Sequence, residues 1–80
     1  MKTAHINTLV TITSIGFSDK QTAYPRRMEW SGTTYNFIDS GLKTIVKKGE
    51  RIAHIFTMTD GKREYCLRKE DSSWTLVNIY

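Results

Sequence analysis

The segment Met28-Glu29-Trp30-Ser31-Gly32-Thr33-Thr34-Tyr35 constrains this chain more than any other, because it reads as two β-strands folded against each other about a Ser-Gly turn. Side chains alternate across a strand, so Met28 and Trp30 project to one side and, beyond the turn, Tyr35 and Phe37 do the same. An aromatic anchor on each arm sets a register and a core face together. Trp30 and Trp74 are therefore expected to face the interior.

The same period of two runs through the rest of the chain. Val10 and Ile12 alternate with Leu9, Thr11 and Thr13, and beyond Ser14 the residues Ile15 and Phe17 take the opposite phase. Such a slip predicts a bulge or bend. Residues 19–23 form a short polar linker, and Pro25 opens the next strand, where a missing N–H is tolerated. Leu42, Thr44 and Val46 lead into a Lys47-Lys48-Gly49-Glu50 turn, followed by Ile52, His54, Phe56 and Met58. Asp60-Gly61 reads as a type I′ hairpin turn. Tyr65 and Leu67, a turn over 70–73, and Trp74, Leu76 and Tyr80 complete the pattern. Helical alternatives over 18–27 and 40–48 are weak: the first meets Pro25 without an apolar stripe, and the second is short and rich in β-branched residues. The expectation is an all-β domain, an antiparallel meander of about six or seven strands forming a partly open barrel or two-layer sandwich of SH3-like size. It spans residues 1–80 as one unit, with an amino-terminal strand in 1–20 and the meander in 24–80.

Eighty residues leave room for one core only. A single Cys precludes an internal disulfide, and no Cys and His have zinc-site spacing, so neither a metal nor a cofactor is expected. The Met1-Lys2-Thr3-Ala4-His5 start is not followed by a continuous apolar run, and no stretch approaches the roughly 18 apolar residues of a membrane span. A cytoplasmic protein that does not insert into membranes is the expectation.

Met28, Trp30, Tyr35, Phe37, Ile52, Phe56, Tyr65, Leu67, Trp74 and Leu76 suffice for a core on one face. The opposite phase carries a second aliphatic stripe, Ile38, Ile45, Ile55, Cys66, Val77 and Ile79. A solvated face would not hold so many branched aliphatics, so something covers it. One candidate is the chain's own first strand, through Leu9, Val10, Ile12, Ile15 and Phe17. The other is a partner protein, most simply a second copy, which makes Ile38, Ile45, Ile55, Val77 and Ile79 the interface residues.

Chemistry-bearing residues are not arranged for catalysis. His54 is in phase with Phe56 and reads as a core residue; Cys66 lies near Arg63 and Arg68 but lacks a His placed as base. No Ser sits in a nucleophile elbow, and the acidic residues fall mostly in turns. The expectation is a non-enzymatic protein-interaction module. Twelve Lys and Arg against eight Asp and Glu give a net charge of +4, which weakly favours anionic partners. The alternative is thus a nucleic-acid-binding accessory domain using Lys43, Lys47, Lys48, Arg51, Lys62 and Arg68.

The spacing Pro25, Met28, Trp30, Gly32, Tyr35 resembles the P-x-x-(apolar)-x-W-x-G-x-x-Y pattern of a group of small bacterial domains of unknown function. Asp60-Gly61, Tyr65 with Leu67, and Trp74-x-Leu76 continue the resemblance over residues 24–80. It implies a small stand-alone domain or one found at the end of proteins similar to translesion DNA polymerases, which leans toward a nucleic-acid setting. No catalytic residues come with it. Where those relatives often carry an aromatic before an arginine of the central strand, this chain has His54 and Phe56 and no arginine.

Overall fold

The computed structural model describes residues 4–80, and the side chains from Ile6 onward. It is all-β, with seven strands: β1 (Ala4–Phe17), β2 (Ala23–Trp30), β3 (Thr33–Asn36), β4 (Leu42–Lys48), β5 (Arg51–Thr59), β6 (Glu64–Glu70) and β7 (Ser73–Ile79). All pair antiparallel in a single sheet of order β3-β2-β1-β7-β6-β5-β4. The sheet is not closed, because β3 and β4 remain edges.

Turn chemistry explains the hairpins. Trp30 pairs with Thr33, and both residues between them have positive φ (Ser31 54°, Gly32 77°), as a type I′ turn requires. Lys48 pairs with Arg51 and Glu70 with Ser73 across two more two-residue loops. Asp60-Gly61 differs from expectation. The loop has four residues, and Asp60 does not take positive φ. Its carboxylate organises the turn instead: Oδ1 accepts the N–H groups of Lys62 and Arg63 at 2.9 Å each.

β1 holds the sheet together. Its first half, from Ala4 to Val10, pairs with β7; its second half, from Thr11 to Phe17, pairs with β2. The expected irregularity at Ser14 is present as register shifts on both sides of it. β1 therefore sits inside the sheet and does not lie across the second face. Ile6, Val10 and Ile12 pack on the core, while Leu9, Ile15 and Phe17 are exposed.

The sheet curls around a core of Met28, Phe37, Phe56, Met58, Tyr65, Leu67, Leu76 and Ile79. Tyr65 of β6 meets Tyr35 of β3 and Phe37 with ring centroids 5.5 Å away in each case, so the β3 edge reaches β6 across the interior. The segment after β3 fastens one end of the curl: Phe37 N–H donates to Arg26 O on β2, and Ile38 N–H to Thr59 O on β5, both at 2.9 Å. Trp30, Tyr35 and Trp74 face this core and pack against it, partly buried.

Three residues lie where the simple alternation did not put them. Ile79 is buried in the core, because Cys66 pairs with Asn78 and Leu67 with Leu76. Val77 is the extra residue of that bulge, and it returns Ile79 to the face of Leu76. Ile45 pairs with His54, so it shares the inner face with His54 and Phe56, and it is 59% exposed. Ile52 was expected in the core; it lies on the inner face but beyond the curl, and it is exposed.

Candidate functional site

Register sorts the candidate residues into separate places. Of the five interface candidates, Ile38 is exposed in the β3–β4 connection, Ile45 lies exposed on the inner face of β4, and Ile79 is buried. Ile55 and Val77 are half-buried, and Ile55 is on the outer face, paired with Thr44 and Arg68. The five do not form one stripe. Beside Ile55 on the outer face, Val46 and Ala53 line a shallow groove of about 330 Å³ with Lys48, Arg51, Arg68 and Glu70. Glu70 is ion-paired there to both Arg51 and, at 3.8 Å, Arg68.

The six basic candidates are likewise divided. Lys43 and Lys47 pair with Phe56 and Ile52 and lie on the inner face. Lys48, Arg51 and Arg68 belong to the outer groove, and Lys62 is in the β5–β6 turn. A phosphate backbone tracking all six would have to wrap around the sheet.

Two places do gather functional groups. The first is β4, every residue of which is exposed. As an edge strand it presents unpaired backbone N–H and C=O groups on one side, together with Leu42 at 74%, Ile45 at 59% and Val46 at 46% exposure.

The second is the open mouth of the curl, about 230 Å³, lined by Ile15, Ala23, Tyr24, Lys43, His54, Phe56, Lys69 and Trp74. Three neighbouring strands supply its nitrogen groups: Lys43 from β4, His54 from β5 and Lys69 from β6. Pairing of Lys43 with Phe56, and of His54 with Lys69, brings them side by side. The Lys43 Nζ lies 5.6 Å from the Phe56 ring centroid, and the Lys69 Nζ 5.8 Å from that of Trp74. Those two rings are themselves 5.3 Å apart. His54 Nδ1 is buried and has no hydrogen-bond partner. Burial first, then the charges of Lys43 and Lys69, pull the His54 pKa below its ordinary value. The lining contains no carboxylate.

Reading residue by residue placed His54 in phase with Phe56 but missed Lys69 and the way Lys43 joins it. The signal was present in the short loops, which fix the register that sets Lys43, His54 and Lys69 on one face. Cys66 is half-buried, and burial pushes its thiol pKa up against the smaller opposing effect of Arg68. Among the described residues, no three His, Cys, Asp or Glu side chains gather as a metal site, and no helix is long and apolar enough to cross a membrane.

Comparison with known proteins finds no family, no curated protein and no solved structure that matches this chain.

Proposed function

We propose that this protein is a non-enzymatic interaction module that self-associates by pairing the β4 edges of two copies antiparallel. The observation that carries this reading is the β4 edge, exposed at every residue and carrying three aliphatic side chains among its lysines. A two-fold axis maps β4 of one copy onto β4 of the other, so the residue on the axis decides which side chains meet. Centred on Ile45, Lys43 would face Lys47 of the second copy, and directly opposed like charges are destabilising. Centred on Thr44, Leu42 faces Val46 twice and Lys43 faces Ile45 twice. That register opposes no two lysines and covers all three exposed aliphatics of the strand.

The pairing extends the sheet across the axis and satisfies the edge groups of β4. Burying each aliphatic side chain contributes about 1.5–3 kcal/mol before the cost of association is subtracted. A dimer of roughly micromolar affinity is the expected result. Sedimentation equilibrium tests it. Val46→Lys should give monomer, and adding Leu42→Glu to the same chain should restore the dimer through two Glu–Lys pairs. A strict monomer at high micromolar concentration, or a dimer indifferent to these changes, overturns the proposal.

A further inference from the structure

The mouth of the curl suggests a function separate from β4 pairing. We propose that it is a binding site for a small phosphate monoester bearing an apolar or aromatic group, held by Lys43, His54 and Lys69.

The argument begins with a polar atom that lacks a partner. Buried polar atoms are nearly always hydrogen-bonded, and His54 Nδ1 is not. Nδ1 is enclosed with the ring as it stands, and His54 lines the mouth, so a turn of the ring toward a ligand oxygen there would give that N–H its acceptor. On either side stand Lys43 and Lys69, each resting against an aromatic ring and neither ion-paired to a carboxylate among the described residues. The acidic residue closest along β6, Glu70, alternates to the outer face, where it is occupied by Arg51 and Arg68. The site thus concentrates positive charge in a concave place, without internal compensation.

Chemistry narrows the ligand class. Donors from three strands converge on one place, and a phosphate monoester offers three terminal oxygens where a carboxylate offers two. Its charge of about −1.5 to −2 near neutral pH matches two ammonium groups. At about 230 Å³ the mouth is smaller than the roughly 300–1,000 Å³ of pockets for drug-sized molecules, so the ester group must be small. Ile15, Tyr24 and Trp74 supply an apolar wall for it.

The same chemistry occurs in a free mononucleotide and at the 5′-phosphorylated end of a single strand. Trp74 lines the mouth, so its fluorescence reports occupancy. Titrations with phenyl phosphate, inorganic phosphate, phenol, AMP, and a short oligothymidylate with and without a 5′-phosphate test the proposal. Phenyl phosphate should bind at least tenfold more tightly than either inorganic phosphate or phenol. Lys43→Gln with Lys69→Gln should weaken phenyl phosphate binding at least tenfold, whereas Lys62→Gln, in a distant turn, should not change it. A 5′-phosphate preference in the oligonucleotide supports the site with a strand end as its ligand; AMP binding without that preference supports it with the free ester. Phenyl phosphate binding no tighter than phenol, or binding indifferent to the double substitution while circular dichroism shows both proteins folded, overturns it. Monomeric Val46→Lys protein should bind phenyl phosphate normally, which separates this result from the fate of the β4 pairing.

Discussion

The Tyr65 hydroxyl donates a 2.8 Å hydrogen bond to Asp60 Oδ2, tying a core aromatic of β6 to the carboxylate that organises the β5–β6 turn. Burial raises the carboxyl pKa, but the backbone N–H groups of Arg63 and Lys62 and the Tyr65 hydroxyl outweigh it and hold Asp60 below the usual carboxylate range. Burial, with the Asp60 bond and charge, pushes the Tyr65 hydroxyl well up. Tyr65→Phe keeps the packed ring and removes only this bond. A hydrogen bond to a charged group contributes about 1.5–3 kcal/mol, and urea denaturation should show a loss in that range. Because the Asp60 pKa is lowered on folding, its stabilisation is present above the ordinary carboxylate pKa and disappears as pH falls through the depressed value. Asp60→Asn should accordingly be less stable than wild type at pH 7, with the gap narrowing in strong acid.

His54 gives the same sign of pH dependence in a higher pH window. Lys43 of β4 and Lys69 of β6 face it, Tyr24 of β2 shares the mouth, and no carboxylate lines the site. Its pKa is lowered on folding, so the unfolded chain binds more protons in the window from the ordinary histidine value of 6.5 down to the folded value. Stability should fall as pH drops through that window and should lose this dependence in His54→Gln. Thermal melts between pH 5 and 8 read it directly. Bound phosphate ester supplies the missing negative charge, so it should flatten the same slope in the wild type.

Two glycines with positive φ should respond differently to substitution by Ala. Gly32 (φ 77°) has nothing within 4 Å of an added Cβ, so Gly32→Ala meets only backbone strain, about 1–2 kcal/mol. At Gly41 (φ 62°) the Cβ would lie 2.4 Å from Thr57 O and 2.6 Å from Met58 Sδ. Backbone cannot swing aside as a side chain can, so Gly41→Ala adds an overpacking cost of about 1–3 kcal/mol. Comparison of the two melting temperatures tests this, and equal losses would refute the close approach. Gly41 also directly precedes β4, so its displacement should weaken the proposed dimer.

Much of the fold was legible because period two and short loops are local signals. The Trp30–Tyr35 hairpin, the irregularity at Ser14 and the antiparallel all-β class all follow from residues a few positions apart. Face assignment failed where one inserted residue intervened. Val77 cannot be recognised as a bulge from β7 alone, since β6 decides which residues pair, and its insertion moved Ile79 from the supposed second face into the core. Ile45 was misplaced for a related reason: the two-residue loop at Gly49-Glu50 sets it opposite His54, and this counts only once the strand ends are known. The mouth was less legible still. Lys43, His54 and Lys69 are far apart in sequence, and only the β4-β5-β6 register makes them neighbours.

That distinction also reorders the stability of the aromatic hairpin. The alternation alone makes Trp30 the anchor whose truncation unfolds the domain. Trp30 faces the core but is only partly buried, its ring centroid 6.1 Å from that of Tyr35, whereas Met28 two residues earlier is fully enclosed at 0% exposure. Removing a completely buried side chain forfeits its transfer energy and leaves a cavity, about 2–5 kcal/mol for Met→Ala. A partly buried Trp leaves a smaller enclosed void, so Trp30→Ala should cost less than the roughly 3–5 kcal/mol of a fully buried aromatic. Met28→Ala should therefore lower the urea midpoint at least as far as Trp30→Ala, despite removing a much smaller side chain. Total stability of a domain this small is on the order of 5 kcal/mol, so Met28→Ala should stand near the limit of folding. If Trp30→Ala unfolds the chain while Met28→Ala is mild, the core is centred on the hairpin and not on the curl's interior.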